Sequence, residues 1–419
     1  MPINHRVLEE EAAWDRAVAD IAGSDAKLIG VSRYVGDSRV YARDGQVAKI
    51  RSRRAVLQTG VLTLANEAKL LTLLGVDVRT GSVDDWDYLT MPRLTGPTLD
   101  RVVPRMSVVQ RVRVLPGVMR DLRRIHHAGV AHRDLRPDNI VLDPDGRAHL
   151  IDFDRAISAS GPAVALADWV GLSRDGFAAN PYWKFALFFL APKVQSMARR
   201  LRALSTRQPD TIGPSGQDGD LAMLAGAWQM AANSPANSPG HRVAYYALTF
   251  KHQHFPGERP WYLRWEAIRR GVDFRGKRFI ELGCNMGLLA SFARIHGAAS
   301  SLGVDRDPTI IRSARLVSDA LGAQAQFEAI DLVSDPNWPQ RLGAGDIVAA
   351  MSLVHWLPNP EPILRYLGQH AEVIYEGHDS LEVETARLKS VGFTQIRVLG
   401  ETERGRPLLH GFRARAGRA

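Results

Sequence analysis

The chain has 419 residues, of which 45% are hydrophobic and 24% charged, and this length predicts two globular domains joined by a connector. The formal net charge of +9 is spread along the chain, so it favours phosphate-bearing ligands or an anionic membrane surface, and no nucleic acid is expected. The single cysteine, Cys284, excludes an internal disulfide framework, and the charged start and lack of a long apolar run predict a cytoplasmic protein without a membrane span.

The first hundred residues predict a helix followed by strands. Apolar residues in 9–22 recur at helical spacing, which predicts a helix packed against the first lobe. The segment 35–38 lies between the first two strands and is poor in glycine, so nucleotide contact there is expected to rest on backbone N–H groups. Lys49 lies in an alternating strand, where a lone lysine usually faces solvent. Glu67 lies on the following helix and could pair with Lys49, holding its ammonium group toward a phosphate.

Residues 132–154 carry the densest set of polar motifs, H-R-D-L-R-P-D-N-I-V-L-D-P-D-G-R-A-H-L-I-D-F-D. Two β-type apolar runs flank the turn signal D-P-D-G, which predicts a hairpin. A hairpin brings its outer ends together, so Asn139 and Asp152 become two oxygen ligands suited to Mg²⁺ on nucleotide phosphates. Asp134 is placed to orient the proton of an attacking hydroxyl. The competing interpretation is a surface hairpin with scattered acids, which five polar identities at fixed offsets disfavour.

These motifs resemble the catalytic and metal-binding loops of the α+β protein-kinase-like fold, with Asp154 where protein kinases carry the glycine of D-F-G. The I-D-F-D-R ending and the lack of an A-P-E segment are similar to bacterial small-molecule and lipopolysaccharide-sugar kinases, especially the Kdo kinases. The resemblance implies ATP and Mg²⁺ as cofactors, Lys49 as the lysine that meets the α/β-phosphates, and Met91 in the hinge beside adenine. It also implies that Asp168 steadies the catalytic loop; a helix N-terminal charge is the alternative.

The middle of the chain predicts the end of the first domain and a linker. Residues 181–204 combine large aromatic side chains with a basic tail, and they are too few to span a bilayer. They form either a peripheral contact at the inner face of the membrane or a buried helix of the kinase-like domain. Composition shifts to Pro, Ser, Gly and Asp over 205–240, with a short helical piece predicted at 221–232 between the two polar stretches. The predicted domains are therefore 1–204 and 241–419, with 205–240 as the linker.

The second half alternates β and α patterns. The strand R-F-I-E-L ends in the turn G-C-N-M-G, in which Gly283 permits the tight turn and Gly287 the close approach of helix and cofactor. Asn285 replaces the middle glycine of the dinucleotide fingerprint, which argues against an oxidoreductase. A second strand ends at Asp305, the place for a carboxylate that accepts both ribose hydroxyls.

The pattern E-L-G-C-N-M-G resembles motif I of the class I S-adenosylmethionine methyltransferases, and the resemblance covers about residues 242–415. It implies an α/β Rossmann-like fold with S-adenosylmethionine as cofactor. Glu281 and Asp331 would contribute to cofactor binding, the latter beside adenine. Ser352 and His355 lie in the segment that lines the methyl donor and the acceptor, and His355 is the catalytic candidate.

The preface G-E-R-P-W-Y-L-R-W places two arginines before the predicted sheet. Arg259 and Arg264 are expected on a lid, where guanidinium forks would suit a phosphate; surface arginines beside a stacking Trp261 are the alternative. A phosphate monoester is already an oxyanion at neutral pH, so it needs positioning more than it needs a base. The sequence offers only loose candidates for such a base, namely His355, Glu376 and His378. We therefore expect phosphorylation to precede methylation.

Together the two halves resemble the kinase/methyltransferases that cap polymannose O-antigen chains, with the domain order reversed. The resemblance implies a bifunctional enzyme that phosphorylates a sugar hydroxyl of a bacterial surface glycan, or of its lipid-linked precursor, and then methylates it. The alternatives are an enzyme that tailors a soluble small molecule and a methyltransferase regulated by a nucleotide-binding pseudokinase. The pseudokinase is disfavoured because Lys49, Glu67, Asp134, Asn139 and Asp152 are all present.

Overall fold

The computed structural model describes residues 6–32, 37–55, 57, 61–103, 106–158, 166–169, 181–190, 218–234 and 243–413. The chain divides into an N-terminal unit, Asp15–Ser205, and a C-terminal unit that combines Met1–Trp14 with Thr206–Ala419. The first helix, α1 (Arg6–Ile21), begins in the C-terminal unit: its Glu11 accepts a hydrogen bond of 2.6 Å from Trp265 Nε1. The expectation that this helix packs against the first lobe is therefore wrong for its first half.

The N-terminal unit begins with a five-stranded antiparallel sheet in the order β1-β2-β3-β5-β4. Its elements are β1 (Lys27–Val31), β2 (Ser38–Arg43), β3 (Gln46–Ser52), α2 (Leu64–Leu73), β4 (Arg79–Val83) and β5 (Trp86–Pro92). Side chains alternate between the two faces of a strand, so Lys49 and Arg51 of β3 share one face, and both are buried. Helix α2 starts where the Thr63 side chain accepts from Asn66 N, and this start fixes the position of Glu67.

A mainly helical part follows, with α3 (Leu99–Val102), α4 (Val108–His127), β6 (Val130–Ala131), a 3₁₀ turn (Pro137–Asn139), β7 (Ile140–Leu142), β8 (Ala148–Leu150), β9 (Ile157–Ser158) and α5 (Tyr182–Leu190). A capping box of Ser107 and Gln110 starts α4. Strands β7 and β8 pair antiparallel with Ile140 opposite Leu150, so the predicted hairpin is confirmed. Asp121 of α4 accepts from Leu150 N at 2.7 Å and ties the helix to this hairpin.

Helix α5 occupies the start of the aromatic segment 181–204. Phe185 and Phe189 are buried in the core of the N-terminal unit, whereas Trp183 is 55% exposed and Leu187 43% exposed. One face of the helix is thus a core face, as the second of the two interpretations expects, and the basic residues after it lie outside the described residues. Among the described helices, none is long and apolar enough to cross a membrane.

The C-terminal unit contains α6 (Gly219–Ala232), β10 (Ala244–Phe250), β11 (Gln253–Phe255), β12 (Gly257–Pro260), α7 (Trp261–Gly271), β13 (Arg278–Leu282), α8 (Leu288–Ile295), β14 (Ser300–Asp305), α9 (Pro308–Leu321), β15 (Gln326–Ala329), α10 (Trp338–Leu342), β16 (Ile347–Met351), a 3₁₀ turn (Val354–Trp356), α11 (Glu361–Leu367), β17 (Glu372–Glu376), α12 (Leu381–Ser390), β18 (Gln395–Glu401) and β19 (Pro407–Phe412). The main sheet has seven strands in the order β15-β14-β13-β16-β17-β19-β18, and β10–β12 form a separate small sheet.

Strands β13–β17 of the main sheet run parallel, and β19 is inserted antiparallel between β17 and β18. The chain moves outward from β13 to β15 and then returns to place β16 on the other side of β13. In open α/β sheets, ligands bind outside the carboxyl ends of the strands at such a reversal of strand order. We therefore expect the ligand crevice where Gly283 follows β13 and Ser352 follows β16.

The predicted linker 205–240 is wrong in its middle part. Helix α6 lies within it and is a core element of the C-terminal unit, because Leu224, Ala227 and Trp228 are buried with the residues of the main sheet. Trp228 Nε1 also donates to Tyr246 O at 3.0 Å. The flanking residues of the predicted linker lie outside the described part of the chain.

Candidate functional sites

A buried lysine is held by two carboxylates in the N-terminal unit. Lys49 Nζ donates to Glu67 Oε1 and Oε2 at 3.0 and 2.9 Å and to Asp152 Oδ1 at 2.8 Å. Burial lowers the pKa of Lys49, but the charges of Asp152 and Glu67 outweigh burial and hold that pKa above its ordinary value. Conversely, the Lys49 ammonium overrides burial and holds the pKa of Asp152 below its ordinary value. The predicted Lys49–Glu67 pair is thus present in the structure and extends to Asp152.

The catalytic-loop candidates lie together before the hairpin. Asn139 Nδ2 donates to both the backbone oxygen and Oδ2 of Asp134, each at 3.0 Å. Asp168 accepts the backbone N–H groups of His132 and Arg133 at 2.8 and 2.6 Å. This pair of bonds holds the backbone just before Asp134 from behind, which is the role that the kinase resemblance implied for Asp168.

Two further charged residues of this site, Asp154 and Arg51, are buried. Asp154 is 1% exposed, and neither carboxylate oxygen has a hydrogen-bond partner in the described residues. Burial and the charge of Asp152 raise the pKa of Asp154 to about 7. Sequence reasoning missed Arg51, which is buried and donates to Leu62 O at 2.6 Å. The two-residue spacing from Lys49 in an alternating strand was the signal that could have found it.

The oxygen ligands of the site suit Mg²⁺. Asp152 keeps a carboxylate oxygen beyond the one bound to Lys49, and its side chain is 38% exposed. Asn139 immediately precedes β7 of the hairpin, and its backbone oxygen accepts from Ile151 N at 2.9 Å. Within the described residues, no group of three or more His, Cys, Asp or Glu side chains is arranged to hold a metal ion by itself. Mg²⁺ is commonly held by one or two carboxylates together with substrate phosphates, so this set fits a metal that arrives with a nucleotide.

Met91 is half-buried in β5, where it pairs with Val47 of β3. Of the phosphate-covering segment predicted at 35–38, Val35 and Gly36 lie outside the described residues, whereas Asp37 and Ser38 lie within them.

The turn after β13 brings together the cofactor candidates of the C-terminal unit. Gly283 and Asn285 adopt left-handed conformations, with φ of 67° and 46°. Asp305 Oδ2 accepts from Asn285 N at 3.1 Å, so the carboxylate at the end of β14 borders this turn. Burial raises the pKa of Asp305. Glu281 is buried and accepts from Ala290 N at 2.9 Å, which fixes the start of α8.

Gly287 has a packing role. Its φ is 69°, and a Cβ atom there would lie 2.3 Å from Phe327 Cε1 and 2.9 Å from Ala314 Cβ. The glycine is thus required for contact between the start of α8 and its neighbours β15 and α9, whereas sequence reasoning assigned it to approach of the cofactor. Asp331 follows β15, and hydrogen bonds to its carboxylate, led by one from Val333 N, hold its pKa below the ordinary value.

A polar cluster follows β16 and β17. Ser352 Oγ lies 2.6 Å from His378 Nε2 and accepts from Arg406 Nη1 at 2.8 Å. The His355 and His378 rings stack with centroids 3.1 Å apart. The structure thus brings the predicted Ser352 and His355 together with His378 and Arg406. Sequence reasoning missed Arg406. Arg406 stands in the turn before β19, and no local pattern identifies its partner.

The expectation that Arg259 and Arg264 present guanidinium forks to a phosphate is wrong. Both side chains are fully buried. Arg264 donates to Glu376 Oε2 at 2.8 Å and to Glu403 Oε2 at 3.1 Å, and Arg259 lies 3.3 Å from Glu376 Oε1. Two carboxylates therefore already neutralise the two guanidinium groups. Burial of Trp261 against Tyr246 also contradicts the alternative of surface arginines beside a stacking tryptophan.

Comparison with known proteins confirms the kinase resemblance of the N-terminal motifs. Residues 100–164, which include Asp134, Asn139 and Asp152, match the model of the lipopolysaccharide kinase (Kdo/WaaP) family. The chain is 30% identical over 110 residues to serine/threonine-protein kinase F of Synechocystis sp., which is 25% of this chain and 22% of the relative. The chain thus spans about a fifth of the length of that curated relative.

Solved structures are also similar to part of the chain. The N-terminal domain of EvdMO1, crystallised in the presence of SAH and D-fucose, is 18% identical, covers 40% of this chain and 90% of its own length, and has a TM-score of 0.34. WbdD, solved with the kinase inhibitor LY294002, is 19% identical over 40% of this chain and 39% of its own length, with a TM-score of 0.24. At these TM-scores the likeness carries no weight for function. The C-terminal assignment rests on its own strand order and side chains.

Proposed function

We propose that the chain is a bifunctional transferase. The N-terminal unit transfers the γ-phosphate of ATP to an acceptor hydroxyl, and the C-terminal unit methylates an acceptor with S-adenosylmethionine. The observation that carries the first activity is the buried Lys49, which Glu67 and Asp152 hold at 2.8–3.0 Å. Burial of a charged lysine is costly unless it is paired, and the pairing points the ammonium at the end of the hairpin where the metal ligands are expected.

Each N-terminal residue then has a defined task. Lys49 binds the α/β-phosphates. Asp152 and Asn139 would hold Mg²⁺, which would supply positive charge beside the phosphates. Asp134 orients the acceptor hydroxyl and accepts its proton, and the bond from Asn139 Nδ2 keeps the Asp134 carboxylate in place. Asp168 holds the loop backbone, so it acts through Asp134 and does not touch the substrate.

The C-terminal activity is supported by the crevice at the reversal of strand order. Gly283, Asn285 and Asp305 border it on the side of β13 and β14, where the Asp305 carboxylate would accept hydrogen bonds from ribose hydroxyls. Ser352 and His355 border it on the side of β16, where an acceptor would meet the methyl group. The parallel strands place both sets at the same edge of the sheet.

The match of residues 100–164 to lipopolysaccharide kinases favours a saccharide acceptor. We therefore infer that the phosphate goes to a sugar hydroxyl of a bacterial surface glycan or its lipid-linked precursor, at the inner face of the membrane. A soluble small-molecule acceptor is the alternative, and phosphate transfer to lipid-linked saccharide but not to free sugars would exclude it.

Nucleotide binding tests the first activity. Asp152→Asn should abolish Mg²⁺-dependent ATP binding in calorimetry, whereas Asp134→Ala should keep the ATP affinity and lose turnover. Asp145→Asn removes the same charge from the exposed turn of the same hairpin and should behave as the unchanged protein. Full Mg²⁺-dependent binding by Asp152→Asn would contradict the assignment of the metal ligands.

Cofactor binding tests the second activity. Asp305→Asn should weaken S-adenosylhomocysteine binding by about tenfold, because one carboxylate no longer accepts from the ribose. Asp319→Asn, an exposed acid near the end of α9, is the matched control. Equal affinity of the two variants would reject Asp305 as the ribose ligand, and no binding by the unchanged chain would reject the proposed methyltransferase.

A further inference from the structure

A chain of polar side chains is built at the carboxyl ends of β16 and β17. Arg406 Nη1 donates to Ser352 Oγ at 2.8 Å, and Ser352 Oγ lies 2.6 Å from His378 Nε2. Ser352 has a φ of 55°, which is unfavourable for a residue with a side chain and persists where the surroundings impose it. Its N–H group donates to Glu376 O at 3.1 Å. The surrounding structure therefore holds the hydroxyl in this position.

Arg406 is left with unused donors. A guanidinium group carries five N–H donors, and Ser352 is the only side chain in the described residues to which Arg406 donates. The Glu376 carboxylate lies 3.8 Å from Arg406 Nη1, which is too far for a hydrogen bond. Glu376 is in any case bound by Arg259 and Arg264. The Arg406 side chain is 17% exposed, so it is accessible to a ligand from solvent.

The other acids near Arg406 are also paired with cations. Glu403 binds the two buried arginines, and Glu384 and Asp379 bind Arg387. Arg404, in the same turn as Arg406, is exposed and adds further positive charge. Burial and the charge of Arg259 lower the pKa of Arg406 to about 10, so the group remains protonated at neutral pH. The carboxylates around Arg406 are thus paired with other arginines, and within the described residues none of them is in hydrogen-bond contact with Arg406.

The neighbouring histidines add no charge to the crevice. Burial and the charge of Arg406 lower the pKa of His378 to about 3 and also lower the pKa of His355. Both rings are therefore neutral at physiological pH. A ring with so low a pKa is a poor general base for a sugar hydroxyl, whereas an anionic acceptor needs no base. The charge and the acid–base properties of the cluster favour the same kind of acceptor.

We propose that Arg406 binds the phosphate group of a phosphorylated methyl acceptor and is the residue that selects it over the unphosphorylated form. The guanidinium fork matches two phosphate oxygens, and Ser352 orients the fork through its hydrogen bond. This inference rests on the proposed function, because the kinase unit would supply such an acceptor. Arg406, in the turn before β19, thus takes the phosphate-binding role that the sequence had predicted for Arg259 and Arg264, whose guanidinium groups are buried in ion pairs.

Phosphate binding by the full chain with saturating S-adenosylhomocysteine tests the inference, with inorganic phosphate as the probe. Arg406→Met should weaken phosphate binding at one site by at least about tenfold, because a bidentate charged contact is lost. Arg404→Met removes the same charge two residues away and should bind phosphate as the unchanged chain does. Any phosphate bound by the N-terminal unit is the same in the unchanged chain, Arg406→Met and Arg404→Met, so it does not affect the differences in affinity between them.

Two outcomes separate this inference from the proposed function. If the unchanged chain does not bind S-adenosylhomocysteine, the proposed methyltransferase fails. If S-adenosylhomocysteine binds equally to the unchanged chain and Arg406→Met, but phosphate affinity is also the same, then the Arg406 inference alone is overturned. Equal weakening by Arg404→Met would overturn it too, because the effect would then be general electrostatics. Arg406→Lys keeps the charge but loses the fork. Its phosphate affinity should therefore lie between those of the unchanged chain and Arg406→Met.

Discussion

The buried carboxylate of Glu376 supports a quantitative prediction about stability. Its side chain is fully buried, and it is contacted by Arg264 Nε at 2.8 Å, Arg264 Nη2 at 3.1 Å and Arg259 Nη2 at 3.3 Å. Removing one partner of a buried ion pair leaves an uncompensated charge, at a cost of about 3–5 kcal/mol. Glu376→Gln keeps the shape and removes the charge. We expect it to lower the free energy of unfolding of the C-terminal unit by about that amount.

Glu403→Gln is the matched control, because Glu403 binds the same two arginines while its side chain is 18% exposed. Water can solvate the arginines where the Glu403 charge is removed, and Glu376 still pairs with both of them. We therefore expect the free energy of unfolding to fall by only about 1–2 kcal/mol. Urea unfolding measures both variants, and hydrogen exchange in peptides from β17 and α7 assigns the loss to the C-terminal unit. A loss below about 1 kcal/mol for Glu376→Gln, or an equal loss for Glu403→Gln, would refute the reasoning.

The same network predicts a pH dependence. Burial opposes ionisation of Glu376, but the charge of Arg264 prevails and holds its pKa below the ordinary value of 4.5. An acid whose pKa is depressed in the folded state stabilises the fold above its ordinary pKa and loses that contribution as the pH falls toward the folded-state pKa. The stability difference between the unchanged chain and Glu376→Gln should therefore be full at neutral pH and shrink below about pH 4.5. A difference that grows on acidification would contradict this sign.

Two further substitutions test local geometry. Gly287→Ala should destabilise the C-terminal unit by about 2–4 kcal/mol in urea unfolding, since its Cβ would lie 2.3 Å from Phe327 Cε1 at a φ of 69°; a loss below about 1 kcal/mol would contradict the packing role. Asp168→Asn replaces an acceptor of two backbone N–H groups, so the amides of His132 and Arg133 should exchange with solvent about 30-fold faster, corresponding to about 2 kcal/mol. Unchanged exchange at both amides would show that Asp168 does not hold the loop.

Features that depend on neighbouring residues could be predicted from the sequence. The D-P-D-G turn between two apolar runs specifies the hairpin that places Asn139 and Asp152 at its ends, since turn residues and strand alternation act over a few residues. The glycine turn after R-F-I-E-L specifies the start of the crevice for the same reason. The Lys49–Glu67 pair, 18 residues apart, was predictable only because a kinase resemblance supplied the contact.

Contacts between distant segments were decided by the tertiary structure. Arg264 finds Glu376 at a separation of 112 residues and Glu403 at 139, and Arg406 finds Ser352 at 54. The sequence shows that an arginine carries a positive charge, but it does not show which carboxylate pairs with it. Arg259 and Arg264 were therefore predicted to bind a ligand phosphate, whereas in the fold they are buried against carboxylates. Helix α6 was assigned to the linker because its sequence does not show which elements cover its apolar side chains. In the fold, α9 and the small sheet pack against it and make it part of the core.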